Sequence, residues 1–450
     1  MALSSSPLAP LEAARIFLDR LQKPATLLVA VSGGSDSTGL LLALNDSLGL
    51  SAQADVRLEA VTIDHALRPE AADEAVAVSR FCQAFAIAHH SLRWNDDKPK
   101  TGVSAAARLA RYRLIGEVAE KIGATAIVVG HTQDDQRETI AMRSQRNAAQ
   151  DRPGLSGMAD AVLYNARHWV LRPFLNVRRD DIRDYLVTRN QSWFDDPSNE
   201  DVKYERVRVR KLPEHVALSS AEAPLKRMEL SSRAATFVAC AVDVFPAGLI
   251  RLHADRLEEN TGTLRYAISA LACIAGGRPY PLAAESLDRV IAFLAQGLPG
   301  RMTAGRVVFD RRKDGLYLMR ENRDVPNMTI LPGATIIWDD RFEITNRSNV
   351  AIVVKGGGSD DGVRGGQSAC PATVPPGVFK RARLAQPHLR PEDGRETQED
   401  WSSMEAVSIR PLLAPYDLFL PRFDLDLANA IGFRLGREAY PQPPMLSLCL

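Results

Sequence analysis

Over its first half the chain alternates short apolar, β-branched runs with longer stretches whose apolar residues recur at helical spacing. The short runs predict strands at 26–31, 58–63, 86–92 and 125–130, and the longer ones predict helices at 11–22, 37–48, 70–84, 104–122, 134–145 and 178–190. Continued to about residue 215, this alternation predicts an α/β domain built on a doubly wound parallel sheet with helices on both faces. From 216 to 302 the sequence turns rich in Ala and Leu at helical spacing, as in Ala267–Leu271 and Leu287–Leu294, which predicts a separate helical domain. From 303 to 450 short strands at Arg306–Phe309, Gly315–Met319, Thr335–Trp338 and Ala351–Val354 predict a smaller β-rich domain. Within it, residues 355–378 are crowded with Gly, Pro and Ser and read as a mobile loop.

In an open parallel sheet the ligand lies beyond the carboxyl ends of the strands. Three segments fall there: 32–37, 62–68 and 130–136. The first, Ser32-Gly33-Gly34-Ser35-Asp36-Ser37, joins a predicted strand to a predicted helix. Adjacent glycines let the backbone turn tightly and aim successive N–H groups at one anion, and the helix adds the positive end of its dipole. Ser32, Ser35 and Ser37 can donate to phosphate oxygens, and Asp36 can hold the Mg2+ that screens a triphosphate. A Gly-Gly turn with a Ser/Asp helix cap is the plainer alternative, but the flanking strand and helix and the three serines exceed its needs. The loop has neither the lysine of a Walker A motif nor Gly-x-Gly-x-x-Gly spacing. Without that lysine it suits gripping a leaving diphosphate while chemistry occurs at the α-phosphate, which suggests adenylation.

The stretch Gly130 to Thr139, GHTQDDQRET, begins where a buried strand gives way to a helix. Asp134 or Asp135 can cap that helix. A histidine, two acids and a glutamine together at a strand end are more than a cap needs, so His131, Asp134 and Asp135 are candidates for catalysis or Mg2+ binding. On the helix after Ser104, Arg108, Arg111 and Tyr112 form either a solvated basic face or a surface for phosphate or RNA, with the tyrosine available to stack. Trp193 to Asn199, WFDDPSN, is a turn signal, and the run after it carries Lys203, Arg206, Arg208, Arg210 and Lys211 against Glu205 alone. Arginines at alternate positions of an extended strand project on one face, as a track for a sugar-phosphate backbone or as a solvated edge. Arg311-Arg312-Lys313, in a predicted hairpin turn, carries the same two readings.

Composition narrows the picture in a few respects. A chain of 450 residues with 45% hydrophobic content is long enough for two to four soluble domains. A formal charge of +1 gives no global nucleic-acid signature, so RNA contacts must be local. Cys82, Cys240, Cys273, Cys370 and Cys449 are scattered and lack Cys-x-x-Cys spacing, which encodes neither a disulfide framework nor a zinc site. Residues 1–10 lack a signal-peptide pattern and no apolar run approaches a membrane span, so the expected location is cytoplasmic, with no membrane partner.

Taken together, SGGSDS at 32–37, TIDHALR at 62–68, ARLARY at 107–112, GHTQDDQRET at 130–139 and WFDDPSN at 193–199 resemble, in order and spacing, the tRNA(Ile)-lysidine synthetases of the N-type ATP pyrophosphatase superfamily. The first motif is shared across the superfamily; the third to fifth look specific to lysidine synthetases, and WDDRF at 338–342 resembles their C-terminal region. Two features depart from the family pattern. Residues 146–155 stand where a glycine-rich segment is usual, and Val207 stands where an asparagine is common. The resemblance implies a Rossmann-like PP-loop ATPase domain over 1–215 that uses ATP and Mg2+ to adenylate the C2 oxygen of the wobble cytidine in a CAU anticodon. Free L-lysine then displaces AMP.

It further implies ATP contacts from Ser32 to Ser37 and from Asp64 and His65, and metal binding by Asp36 with Asp134 or, by preference, Asp135. Arg108 would neutralise charge at the α-phosphate, His131 would aid positioning or proton transfer, and Arg111, Tyr112, Arg206, Arg208, Arg210 and Lys211 would meet tRNA. A homodimer is left open. A related tRNA thiolase is the nearest alternative, but thiolases generally carry sulfur on paired cysteines and only Cys82 precedes residue 240. A non-catalytic RNA-binding relative is the other.

Overall fold

Leu27, Leu28 and Val29 are fully buried, as the middle of a strand covered on both faces must be. They belong to β1 (Ala25–Ala30), which pairs in parallel with β2 (Val56–Asp64) on one side and β4 (Ala126–Val129) on the other. β2 continues in parallel to β3 (Ala88–Arg93), and β4 to β6 (His168–Leu171), which carries β5 (Ala161–Tyr164) antiparallel. These six strands run in the order β5-β6-β4-β1-β2-β3. The order reverses between β1 and β4, and their carboxyl ends open a crevice there. The computed structural model describes residues 8–50, 55–67, 70–146, 156–195, 222–258, 261–357, 370–392 and 406–445.

The helices of this region are α1 (Pro10–Arg20), α2 (Ser35–Leu50), α3 (Ala71–Ala84), α4 (Val103–Ile122), α5 (Gln133–Arg146) and α6 (Arg179–Thr188). Each expected helix and strand is present, and the expected parallel sheet with it. The β5–β6 hairpin was not foreseen, because four-residue strands are too short to display an alternation. α6 packs on α2 at Gly39, where a Cβ would lie 2.3 Å from Cγ2 of Ile182, itself fully buried. Tyr185, one turn further on, donates its hydroxyl to Asp46 at 2.5 Å.

The chain divides into two units: Met1–Arg227 with Pro421–Phe423 and Pro441–Leu450, and Met228–Leu420 with Asp424–Tyr440. In the second, β7 (Val242–Phe245), β8 (Leu249–His253), β9 (Gly300–Ala304), β10 (Val307–Arg312) and β11 (Gly315–Arg320) form a sheet in the order β7-β8-β11-β10-β9. Two small sheets follow. One joins β12 (Met328–Ile330), β15 (Ile352–Gly356) and β16 (Pro387–Pro391); the other joins β13 (Thr335–Trp338), β14 (Phe342–Asn346) and β17 (Val407–Pro411).

Two expectations are corrected here. The stretch 216–302 is not purely helical, because β7 and β8 lie within it and β8 pairs with β11 beyond the expected boundary. Short strands such as Leu249-Ile250-Arg251-Leu252 carry no clean alternation and blend into their Ala- and Leu-rich surroundings. Nor is 355–378 one loop. Lys355 and Gly356 pair with His388 and Pro387, and Pro376 opens a helix over Pro376–Arg383 whose Val378 and Phe379 are buried; residues 358–369 lie outside the described part.

WDDRF turns out to be a charge hub within the second unit. Fully buried Asp339 accepts two hydrogen bonds from Arg320 at 3.1 Å and one from Arg341 at 2.6 Å, and also pairs with Arg306. In the Arg311–Lys313 hairpin, Arg312 is engaged by Asp310 at 2.6 Å.

Gly39→Ala is expected to cost about 1–3 kcal/mol by overpacking, outweighing the ~1 kcal/mol that alanine gains over glycine in a helix. Urea unfolding of G39A, I182A and G39A/I182A checks it: removing Ile182 Cγ2 should make the double variant less destabilised than the sum of the two single losses.

Candidate active site

The loop after β1 has the shape that a phosphate needs. Gly33 takes φ +84°, a conformation open to glycine, and α2 begins at Ser35, so its first-turn N–H groups lack intrahelical acceptors. Hydroxyls brace the turn: Ser37 Oγ donates to the Gly34 carbonyl at 3.2 Å and accepts from the Ser32 N–H at 3.1 Å. Ser35 donates to Oδ1 of Asp36 at 3.0 Å. Phe194 seats itself against this loop, its N–H donating to the Gly33 carbonyl at 2.9 Å and its ring standing where a Cβ on Gly33 would go. The rest of that motif, from 196 on, lies outside the described residues, as do Arg68, 147–155 and the basic residues Arg206, Arg208, Arg210 and Lys211.

Across the crevice, β4 ends at Val129 and α5 begins at Gln133. Asp135 caps α5: its Oδ2 accepts from the Thr132 N–H at 2.8 Å and from the Thr132 hydroxyl at 3.1 Å. Its other oxygen points elsewhere, to Arg179 Nη2 at 3.4 Å. Arg179 also donates from Nε to Asp36 Oδ2 at 2.9 Å and lies 3.9 Å from Glu138. Asp134 does not enter this cluster; its Oδ2 accepts the backbone N–H of Arg179 at 2.8 Å and so anchors the start of α6. Burial pushes the Asp36 carboxyl above its usual range although the Arg179 charge opposes that, with a smaller push from Asp135.

Arg179 was not singled out in the sequence, because RRDD reads as an ordinary charged helix start. Among the described residues no group of three or more His, Cys, Asp or Glu is arranged as a ready metal site. The donor chemistry nonetheless suits Mg2+, which takes one or two carboxylate oxygens together with substrate phosphates and water.

His131 follows β4 directly. Arg172, buried and equally unforeseen, donates from Nε to His131 Nδ1 at 3.2 Å and from Nη1 to the Ala159 carbonyl at 2.6 Å. Accepting at Nδ1 selects the tautomer of a neutral His131 that carries its proton on Nε2. Arg172 also bonds the Tyr112 hydroxyl. Tyr112 is 4% exposed and stacks against Tyr164 with ring centroids 5.3 Å apart, so the expectation that it stacks on RNA is corrected: the ring is a packing element. Arg108 is exposed, its guanidinium 5.1 Å from the centre of that ring.

The end of β2 forms a neighbouring cluster. Thr62 donates its hydroxyl to the Val31 carbonyl at 2.8 Å, tying this strand to the mouth of the phosphate loop. Asp64 accepts the Ala66 N–H at 2.7 Å, and His65 accepts from Arg111 Nε at 3.2 Å while its ring meets Trp94 edge-on. Burial first, and then the Arg111 charge, push His65 down to about 4.

Its folded form therefore stays neutral where an unfolded histidine would take up a proton, a contribution to stability present above about pH 6.5 and lost as the pH falls toward 4. The His65 ring signals in a proton–nitrogen NMR titration are expected not to move between about pH 5.5 and 8. A midpoint near the ordinary value would show that the ring is solvated.

A PP-loop domain model matches residues 10–215. The chain is 41% identical over 98% of its length to the tRNA(Ile)-lysidine synthase of Rhizobium meliloti (strain 1021), covering 98% of that protein. It is 37% identical over 92% to the enzyme of the same name from Mesorhizobium japonicum, covering 93%, and 35% identical over 93% to that of Brucella suis biovar 1, covering 96%. With a phosphate loop and an acidic crevice in the half that the domain model spans, and likeness that runs through both halves, the chain belongs to the tRNA(Ile)-lysidine synthase family.

Proposed function

We propose that this chain joins L-lysine to C2 of the wobble cytidine in the CAU anticodon of tRNA(Ile), consuming ATP and giving lysidine, AMP and diphosphate. The observation that carries the reading is the pairing of a phosphate loop with Asp36 and Asp135 on one guanidinium across the β1/β4 crevice, in a member of this family. Leaving-group chemistry dictates two steps. The cytidine O2 attacks the α-phosphorus and diphosphate departs; the lysine amine then attacks C2, the C2–O bond breaks, AMP leaves with the oxygen, and the amine loses a proton.

The chain's own groups divide this work. N–H groups of the Gly33–Ser37 turn, with the hydroxyls of Ser32, Ser35 and Ser37, hold the phosphates that become diphosphate. Arg108, exposed on α4, neutralises charge developing at the α-phosphate. His131 donates from Nε2 to an oxygen of the reacting groups, its tautomer fixed by Arg172. Asp36 and Asp135 would hold Mg2+, which when bound screens the triphosphate. Asp134 positions α6 and with it Arg179.

Asp64 and His65 flank the nucleotide, and Arg111 with the run Arg206, Arg208, Arg210 and Lys211 meets the tRNA backbone. An anticodon loop is single-stranded, so its bases can be splayed and read at their edges. The reading places the reaction in the cytoplasm, with tRNA, ATP and free lysine; among the described residues no helix is long and apolar enough to cross a membrane.

The test is AMP release from ATP labelled at the α-phosphate, with a CAU-bearing isoleucine tRNA transcript and lysine, each omitted in turn. AMP that depends on the tRNA, with lysine incorporated into it, is the expected result; AMP with a sulfur donor or another acceptor instead would overturn the substrate. Asp36→Asn is expected to lower AMP formation by at least about 100-fold, with tRNA affinity within about twofold of wild type. Retained turnover would remove Asp36 from the metal site.

A further inference from the structure

We propose that Arg179 is a resident counter-cation whose guanidinium stands in for the metal in the nucleotide-free enzyme, so that a divalent cation loads only once a nucleotide draws Arg179 away. This rests on the reading that Asp36 and Asp135 are the metal carboxylates.

Three features of the geometry point to it. First, one guanidinium spans the carboxylates on which the metal reading depends, Asp36 Oδ2 at 2.9 Å and Asp135 Oδ1 at 3.4 Å, with Glu138 at 3.9 Å. It uses the oxygens that Asp36 and Asp135 would turn toward a cation, since Asp36 Oδ1 is occupied by Ser35 and Asp135 Oδ2 by Thr132.

Second, Arg179 is the first residue of α6, where the helix dipole disfavours a positive charge. Acids are the favourable residues there, as Asp180 and Asp181 are, and neighbouring Arg178 is taken up by Asp181 at 2.6 Å. Helix stability therefore does not account for Arg179, whose charge is compensated from other elements: α2, through Asp36, and α5, through Asp135 and Glu138.

Third, its backbone is pinned while its head group has an alternative. The Arg179 N–H is held by Asp134 at 2.8 Å, which fixes the pivot, and the phosphate loop runs into α2, whose first turn carries Asp36. A guanidinium forks onto phosphate oxygens as readily as onto carboxylates. A triphosphate entering that loop gives Arg179 a new partner and frees Asp36 and Asp135 together. Without a nucleotide, guanidinium and divalent cation compete for the same lone pairs and repel each other.

The experiment uses Mn2+ as the probe, with the free ion read by electron paramagnetic resonance on the full-length, nucleotide-free protein, so that it needs no turnover. Wild type is expected to bind Mn2+ only weakly. Arg179→Met should bind it at least about tenfold tighter, Arg179→Lys should stay near wild type because the charge remains, and R179M/D36N should lose the gain. Tight Mn2+ binding by the unmodified enzyme overturns the proposal without recourse to any variant, so a misfolded R179M would not shield it. A folded R179M with no gain also overturns it and leaves the metal reading to the Asp36→Asn result. A gain that persists in R179M/D36N overturns both, because the ion then sits away from Asp36.

Discussion

The crevice depends on how closely the first turn of α2 can approach the end of β4. A Cβ at Gly130 would lie 2.9 Å from both the carbonyl carbon and oxygen of Asp36, so only a residue without a side chain lets the two segments meet. That approach sets Asp36, at the start of α2, opposite the stretch that supplies His131, Thr132 and Asp135. A second close contact, α6 on α2 at Gly39, brings Arg179 to the same point. Two missing side chains on the scaffold thus determine where three charged ones converge.

Much of the first unit was legible in the sequence because its signals are local. Strands buried on both faces read as continuous apolar runs, helices as periodic ones, and the Gly-Gly turn between β1 and α2 needs only its neighbours to be recognised. Arg179 and Arg172 were illegible for the opposite reason. Each acquires its role from partners far along the chain, Arg179 from Asp36 and Arg172 from His131, and a charged residue carries no mark of a distant partner. Tyr112 shows the same limit from the other side: an aromatic beside two arginines reads as a surface for bases, and only the packing of Tyr164 and the bond from Arg172 turn it inward.

The acidic pair at the start of α5 shows how adjacent, identical residues come to differ. Asp135 uses one oxygen for the cap and keeps the other for the cluster, whereas Asp134 is spent on a backbone N–H of another helix. The sequence offered either acid as the cap of α5; Asp135 is the one that makes it, and the use of Asp134 depends on where α6 begins.

In the second unit, Asp339 is joined to the turn before β10 through Arg306, to the end of β11 through Arg320, and to the start of β14 through Arg341. These belong to different sheets. Separating the sheets would strand buried guanidiniums without their counter-charge, a penalty of several kcal/mol by general experience with broken buried ion pairs. Drawing one sheet away from the other is therefore costly even where little apolar surface is exposed. Through this one carboxylate the five-stranded sheet and the β13-β14-β17 sheet are tied into a single cooperative unit of unfolding.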